Sequence, residues 1–209
     1  TLRDGVESKC TEATMPKSAK SDSEIIESVR GGAKHTFALL VDRYKDKGMT
    51  LAMRMMRNRE DAEEATQDAF IRAYNALDKF EGSARFGTWF YRILYNVCLT
   101  KLGQRKDAVQ SVDFDDGKEY TLAVSGSPST TDNEFEAKDM MTFIQKTIAT
   151  LPEKYATILS LFYQQELSHE EICKVTDLPL GTVKVHLFRA RALLQERIRK
   201  ELRMESSIV

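Results

Sequence analysis

Ser168 to Leu194 reads SHEEICKVTDLPLGTVKVHLFRARALL, and this stretch decides the fold. Ser168 and Glu171 stand three apart, the spacing of a capping box, so a helix opens there and runs through Val175. Asp177-Leu178-Pro179 breaks the chain, because proline cannot continue a helix. A second helix begins near Gly181 and runs to about Leu202. Two short helices split by a tight turn, the second one basic, are the ingredients of a helix-turn-helix. The inward faces agree: Ile172, Val175 and Leu178 fall where they can pack on Val183, Leu187 and Leu194. Lys184, His186, Arg189 and Arg191 read as the outward face. Such side chains reach base edges near the start of a recognition helix and phosphates farther along. A solvated helix face would carry the same charges, and only the cap, the turn and the basic helix together point to DNA. Cys173 reads as a small packing residue between the two helices. His186 has no Cys or His at ligand spacing, so no metal is expected.

Helical periodicity continues upstream. One helix is expected from Glu134 to Ala149. Pro152 suits the first turn of another, which buries Tyr155, Ile158, Leu159 and Phe162. Before these, Arg105 to Asn133 holds Gly117, Gly126, Pro128, a Ser/Thr cluster and the acids Asp107, Asp113, Asp115, Asp116 and Glu119. So long a stretch without helical spacing is better read as a flexible acidic linker between two domains than as a loop inside one. The N-terminal half again reads as helices. Ser21 and Glu24 repeat the capping-box spacing before Ile25, Ile26 and Val29, and Gly31-Gly32 stops that helix. Phe37, Leu40, Val41 and Tyr44 mark a second helix, from about Lys34 to beyond Met56. Asp61 to Leu77 forms a third, with Ala65, Ala69, Phe70 and Ala73 inward. Phe86 to Leu102 forms a fourth. The expected fold is all-α, with two small helical domains at 21–105 and 134–209. A linker over 106–133 joins them, and a disordered polar tail over 1–20 precedes them.

The 209 residues are 42% hydrophobic, enough for a real core, and the formal net charge of −1 excludes a uniformly basic DNA-coating protein. Any nucleic-acid surface must be local. Cys10, Cys98 and Cys173 are too far apart for a CxxC pair and odd in number, which fits reduced thiols in a cytosolic protein. The N-terminus has no apolar signal core and no run is long enough to span a bilayer, so a cytoplasmic location is expected.

Two features of the N-terminal half invite partners. Asp61, Glu64 and Asp68 line one face of the third helix, beside Glu60, Glu63 and Gln67. Acid at a helix N-terminus can serve the macrodipole alone, yet DNA would repel this face and a basic protein would not. The second feature is the run Phe86, Trp89, Phe90, Tyr91 and Tyr95, with Arg85, Arg92, Lys101 and Arg105 interleaved. Most rings fit a core, and rings with basic neighbours also hold unstacked bases. From the residues alone both readings stay open.

With these residues on the page, a family likeness follows. DAEEATQDAFIRAYNALDKFEGSARFGTWFYRILYN, Asp61 to Asn96, resembles region 2 of the extracytoplasmic-function sigma factors. Leu151 to Leu194 resembles their region 4. The resemblance runs from Ser21 to Arg203, in the right order. It implies that Asp61, Glu64, Gln67 and Asp68 dock on a coiled coil of the largest subunit of core RNA polymerase, with region 4 meeting the polymerase flap. It implies that the loop Phe80, Glu81, Gly82, Ser83, Ala84, Arg85, Phe86, with Asn96, captures a flipped base of the −10 promoter element. Thr182, Lys184, Val185, His186, Arg189 and Arg191 would then read the −35 element in promoter DNA. An anti-sigma factor is a further implied partner, in this family often membrane-tethered, which would hold the chain at the inner membrane. Val185 and His186 depart from the serine and arginine common at these positions, and the tail has no counterpart. No cofactor, metal or small-molecule substrate is expected. A helix-turn-helix activator acting without polymerase is the competing reading. An enzyme on nucleic acid would need a carboxylate or metal cluster in a cleft, or a Gly-rich phosphate loop, and the sequence supplies neither.

Overall fold

The computed structural model describes residues 20–109 and 142–205, and every regular element among them is helical. Helix α1, Asp22–Arg30, starts on the predicted capping box: the Glu24 amide donates to Ser21 Oγ at 3.3 Å and the Ser21 amide donates to Glu24 Oε2 at 2.6 Å. It buries Ile25, Ile26 and Val29. Gly32, at φ +99°, turns the chain into a conformation that side chains oppose, and a 3₁₀ turn at Lys34–Thr36 leads into α2, Phe37–Met56. Helix α3, Arg59–Asn75, begins where the Asn58 side chain accepts from the Asp61 amide at 3.1 Å, and it buries Ala65, Ala69, Phe70 and Ala73 as expected. A short 3₁₀ turn, Leu77–Lys79, leads to the loop before α4, Phe86–Val109.

Helices α2 and α4 cross at two glycines. A Cβ on Gly48 would lie 3.2 Å from the Phe90 ring, and one on Gly87 would lie 2.9 Å from the Tyr44 ring. Each glycine thus lets an aromatic ring from the opposite helix sit directly on backbone. The ring of Phe90 also stacks on Phe70 of α3 at 4.4 Å, so the three helices share one contact.

The C-terminal half comprises α5 at 142–149, α6 at Glu153–Leu159, α7 at His169–Thr176 and α8 at Leu180–Glu205. Pro152 is the N-cap of α6 rather than its first helical residue. Ser160–Gln164 is π-helical, with the Gln165 amide donating to the Ser160 carbonyl at 3.1 Å, five residues back. The extra residue rotates the chain, which leaves Phe162 only half-buried where continuous α-helical spacing buries it, and puts Gln165 inside.

One further expectation changes, at the start of the linker, and one feature is added. Helix α4 continues to Val109, so the first residues assigned to the linker, 106–109, are helical; earlier in α4, Lys101 pairs with Glu64 of α3 at 2.7 Å. The halves also pack together, α7 on α4 and α6 on α2, into one hydrophobic cluster running from Ile25 to Ala190. Periodicity shows that each half has an inward face and does not show that the halves share it. The tail, the rest of the linker and the first turns expected after Glu134 lie outside the described residues.

The α2–α4 crossing predicts a pair of opposite effects. Gly48→Leu forces Phe90 off its seat and should lower stability by about 1–3 kcal/mol. Gly103→Ala, inside α4 with no atom near its would-be Cβ, should raise it by roughly 0.5–1 kcal/mol. Urea unfolding of both variants checks the pair.

Candidate nucleic-acid interface

Helices α7 and α8 form the predicted helix-turn-helix. Ser168 and Glu171 make a second capping box, with the Glu171 amide donating to Ser168 Oγ at 3.2 Å and the Ser168 amide to Glu171 Oε2 at 2.9 Å. Asp177 ends α7 in the left-handed conformation, φ 56°, its amide donating to the Cys173 carbonyl at 2.9 Å. Ile172, Val175, Val183, Leu187 and Ala190 are buried between the helices, while Cys173, Leu178 and Leu194 are half-buried against them.

The outward face of α8 differs from the one expected. Lys184, Val185 and Arg189 are exposed, and Phe188 lies among them at 74% exposure. Phe188 was missed from sequence, although its register, four after Lys184 and three after Val185, puts it on that face. Thr182 is half-buried. His186 turns inward instead of outward. Its ring meets Tyr155 edge-on at 5.8 Å, and Nδ1 is buried without a hydrogen-bond partner. Burial, then the nearby Lys154 and Arg189 charges, hold its pKa below the ordinary histidine value, so the ring packs as a neutral group. Arg191 lies over the rings of Phe162 and Tyr163, at 5.1 and 5.5 Å from their centroids. That stacking fixes the Arg191 head toward the π-helical turn.

The loop before α4 is anchored from a distance. Arg30, at the end of α1, donates to the Leu77 carbonyl at 2.7 Å, which also accepts from the Phe80 amide at 3.1 Å, and to the Phe80 carbonyl. Sequence reading missed this residue, since nothing local marks it. Glu81, Gly82, Ser83 and Arg85 are exposed, Phe80 and Ala84 half-buried. Phe86 is buried against Tyr44, Phe80 and Trp89, so it anchors the loop instead of facing a ligand. The aromatic run resolves accordingly: Phe86, Phe90 and Tyr91 are core, whereas Trp89 and Tyr95 are half-buried. Asn96 is exposed farther along α4. A cavity of about 360 Å³ beside the loop is lined by Phe80, Gly82, Ala84 and Arg85 on one side and by Gln165, Glu166 and Leu167 on the other.

On α3, Glu64 and Gln67 are exposed, while Asp61 and Asp68 are half-buried, with Asp68 paired to Arg72 at 3.0 Å. Ile71, one turn beyond Gln67, is 59% exposed and gives this acidic face an apolar centre. Burial pushes the Cys98 thiol up to about 12, which makes it an inert packing group. Among the described residues no three His, Cys, Asp or Glu gather as a metal site, and no helix is long and apolar enough to cross a membrane.

Polar contacts join the halves. Thr88 Oγ1 on α4 donates to Glu171 Oε1 at 2.9 Å, and Arg92 binds both oxygens of Asp177 at 2.9 and 3.2 Å. Arg57 donates to the Leu151 carbonyl at 2.7 Å and Gln165 to the Lys47 carbonyl at 3.0 Å.

Comparison with known proteins matches this arrangement. The sigma-70 region 2 model covers residues 40–107 and the sigma-70 region 4 model covers residues 144–194. The chain is 36% identical over 179 residues to the ECF RNA polymerase sigma factor SigW of Bacillus subtilis, covering 83% of this chain and 95% of that protein. It is 33% identical over 191 residues to the ECF RNA polymerase sigma-E factor of Escherichia coli K12, covering 88% and 97%. The fold is shared with CnrH, solved in complex with the cytosolic domain of CnrY, at a TM-score of 0.58 and 19% identity, over 87% of this chain and 99% of that one. It is shared too with the sigma factor RpoE, solved in complex with the anti-sigma factor NepR from Bartonella quintana, at 0.60 and 22%, over 78% and 96%. With both regions matched in order, and relatives covered over nearly their whole length, the chain belongs to the extracytoplasmic-function sigma factors, non-enzymatic initiation factors of the sigma-70 family.

Proposed function

We propose that this chain binds core RNA polymerase through the α3 face, melts the −10 element with the α4 loop and Asn96, and reads the −35 element with α8. The observation that carries the reading is one chain holding two dissimilar nucleic-acid faces and an acidic third. Lys184, Val185, Phe188 and Arg189 make a basic and apolar strip that suits the major groove. Arg189 and Lys184 can donate to guanine edges, and Val185 and Phe188 can contact thymine methyls. Asn96 offers a paired donor and acceptor to a base edge outside the stack. Glu64 disfavours DNA, and with the Gln67 amide beside Ile71 it suits a basic protein surface with an apolar centre. His186 and Arg191 act as supports for α8. The chain works in the cytoplasm, where promoters and polymerase are, and an anti-sigma factor that covers these faces controls it. The fold shared with two sigma factors solved in complex with partners supports that control.

Arg189→Ala should reduce discrimination between a cognate and a scrambled −35 duplex by about 1–3 kcal/mol, and Phe188→Ala should lower affinity most where thymines are present. Fluorescence anisotropy with both duplexes checks this, and equal binding of the two by the unmutated chain would remove the −35 assignment. Asn96→Ala should slow open-complex formation while leaving −35 binding intact. Unchanged permanganate reactivity of the melted region would show that Asn96 contacts no flipped base. Glu64→Arg with Gln67→Arg should abolish transcription with core polymerase in a run-off assay, without changing the circular dichroism of the free chain. Strong operator binding by the free chain, with transcription unaffected by this pair, would favour an activator that is not a polymerase subunit.

A further inference from the structure

We propose that Arg30 is a positioning residue for capture of the −10 base. From α1 it holds the backbone of the loop before α4 in the shape that selects the base, without touching the base itself. This role rests on the function proposed above and deepens it.

Arg30 ends a helix that is itself held firmly. Ile25, Ile26 and Val29 are buried under α1, and at its start Asp22 accepts from the Tyr44 hydroxyl at 2.5 Å and from Arg43. The chain around Arg30 is closed as well. The Gly31 amide donates to the Glu27 carbonyl at 2.9 Å, and the Ala33 amide to the Ser28 carbonyl at 3.0 Å. From this platform one nitrogen, Nη2, reaches the carbonyls of Leu77, Asp78 and Phe80, at 2.7 Å to Leu77 and 3.4 Å to Asp78. Those three carbonyls belong to the turn from which the loop departs. Among the described residues no carboxylate forms an ion pair with Arg30, so its charge serves these peptide oxygens. A charged donor holds a carbonyl more strongly than a neutral one does.

The loop has little else to fix it. The Phe80 ring meets Trp89 at 5.1 Å and Phe86 at 5.9 Å, which pins the side chain and leaves the backbone to Arg30. From Glu81 to Ala84 no backbone group bonds to another backbone group of the described residues, and Gly82 reverses the chain at φ +72°. Free amides and carbonyls can answer a base edge. They discriminate only when they are held in place, because a loop free to shift can pair with a wrong base as well as the right one.

An exposed arginine could instead hold a DNA phosphate or brace the fold, and each role has its own signature. A phosphate contact carries no sequence information; losing it weakens all promoters alike and makes the salt dependence shallower. A brace, when lost, lowers the unfolding midpoint. A positioning residue, when lost, flattens base choice at one place.

The test uses the full chain with core polymerase and a promoter library randomised over the −10 window, with the transcripts sequenced. The unmutated chain should enrich one base at the captured position. Arg30→Met keeps the length of the stem and removes every donor. It should lower that enrichment about tenfold, the worth of a base-edge contact, and leave −35 discrimination and the urea midpoint unchanged. Arg30→Lys restores a charged donor and should recover most of the preference. A preference unmoved by Arg30→Met removes the role and leaves the sigma function standing. A uniform loss of transcript with base choice intact and a shallower salt dependence marks a phosphate contact and overturns the proposal. So does a lower urea midpoint with base choice intact, which marks a brace. No transcript from the unmutated chain on any member of the library would remove the function itself, and this role with it.

Discussion

The contact of Phe90 with Gly48 organises the molecule. An aromatic ring seated on the backbone of α2 and stacked on Phe70 of α3 brings three helices within the reach of one side chain. Dispersion at close packing is short-ranged, and a methyl group at Gly48 would already press on the Phe90 ring at 3.2 Å. Because α4 is held so closely on one side, its other side is left to face outward with a fixed register. That register puts Phe90 and Leu94 in the core, leaves Arg92 and Asn96 exposed, and turns Thr88 toward the C-terminal half.

The other side of α4 meets the C-terminal half through polar contacts: Thr88 Oγ1 donates to Glu171 and Arg92 to both oxygens of Asp177. Met55, Tyr95, Leu99 and Ile158 line a groove shared by the two halves, so the halves meet through more than an ion pair.

How legible each element was depends on the range of the forces that make it. Both capping boxes, the α3 alanine face and the helix-turn-helix were readable, because each rests on residues within a turn or two. Phe188 was equally readable from its register and was passed over only because charge drew attention to its neighbours. Arg30 was not readable: its carbonyl partners are nearly fifty residues away, and nothing near it signals them. His186 was assigned outward on its polarity, yet Tyr155 of a different helix gives it a place to pack. Arg191 is exposed as expected, and what the sequence did not signal is that its guanidinium lies over Phe162 and Tyr163 of the π-helical turn.

Sequence by itself determined that the chain is helical, that it ends in a helix-turn-helix, and that acid and base are segregated to separate faces. It did so because helix caps, apolar period and turn chemistry act over three to four residues. Only the tertiary structure decided which rings are core and which are half-exposed, which α8 residues point out, and that the two halves close on each other. Those outcomes depend on what stands opposite each side chain, and a partner brought from a distant part of the chain leaves no periodicity behind.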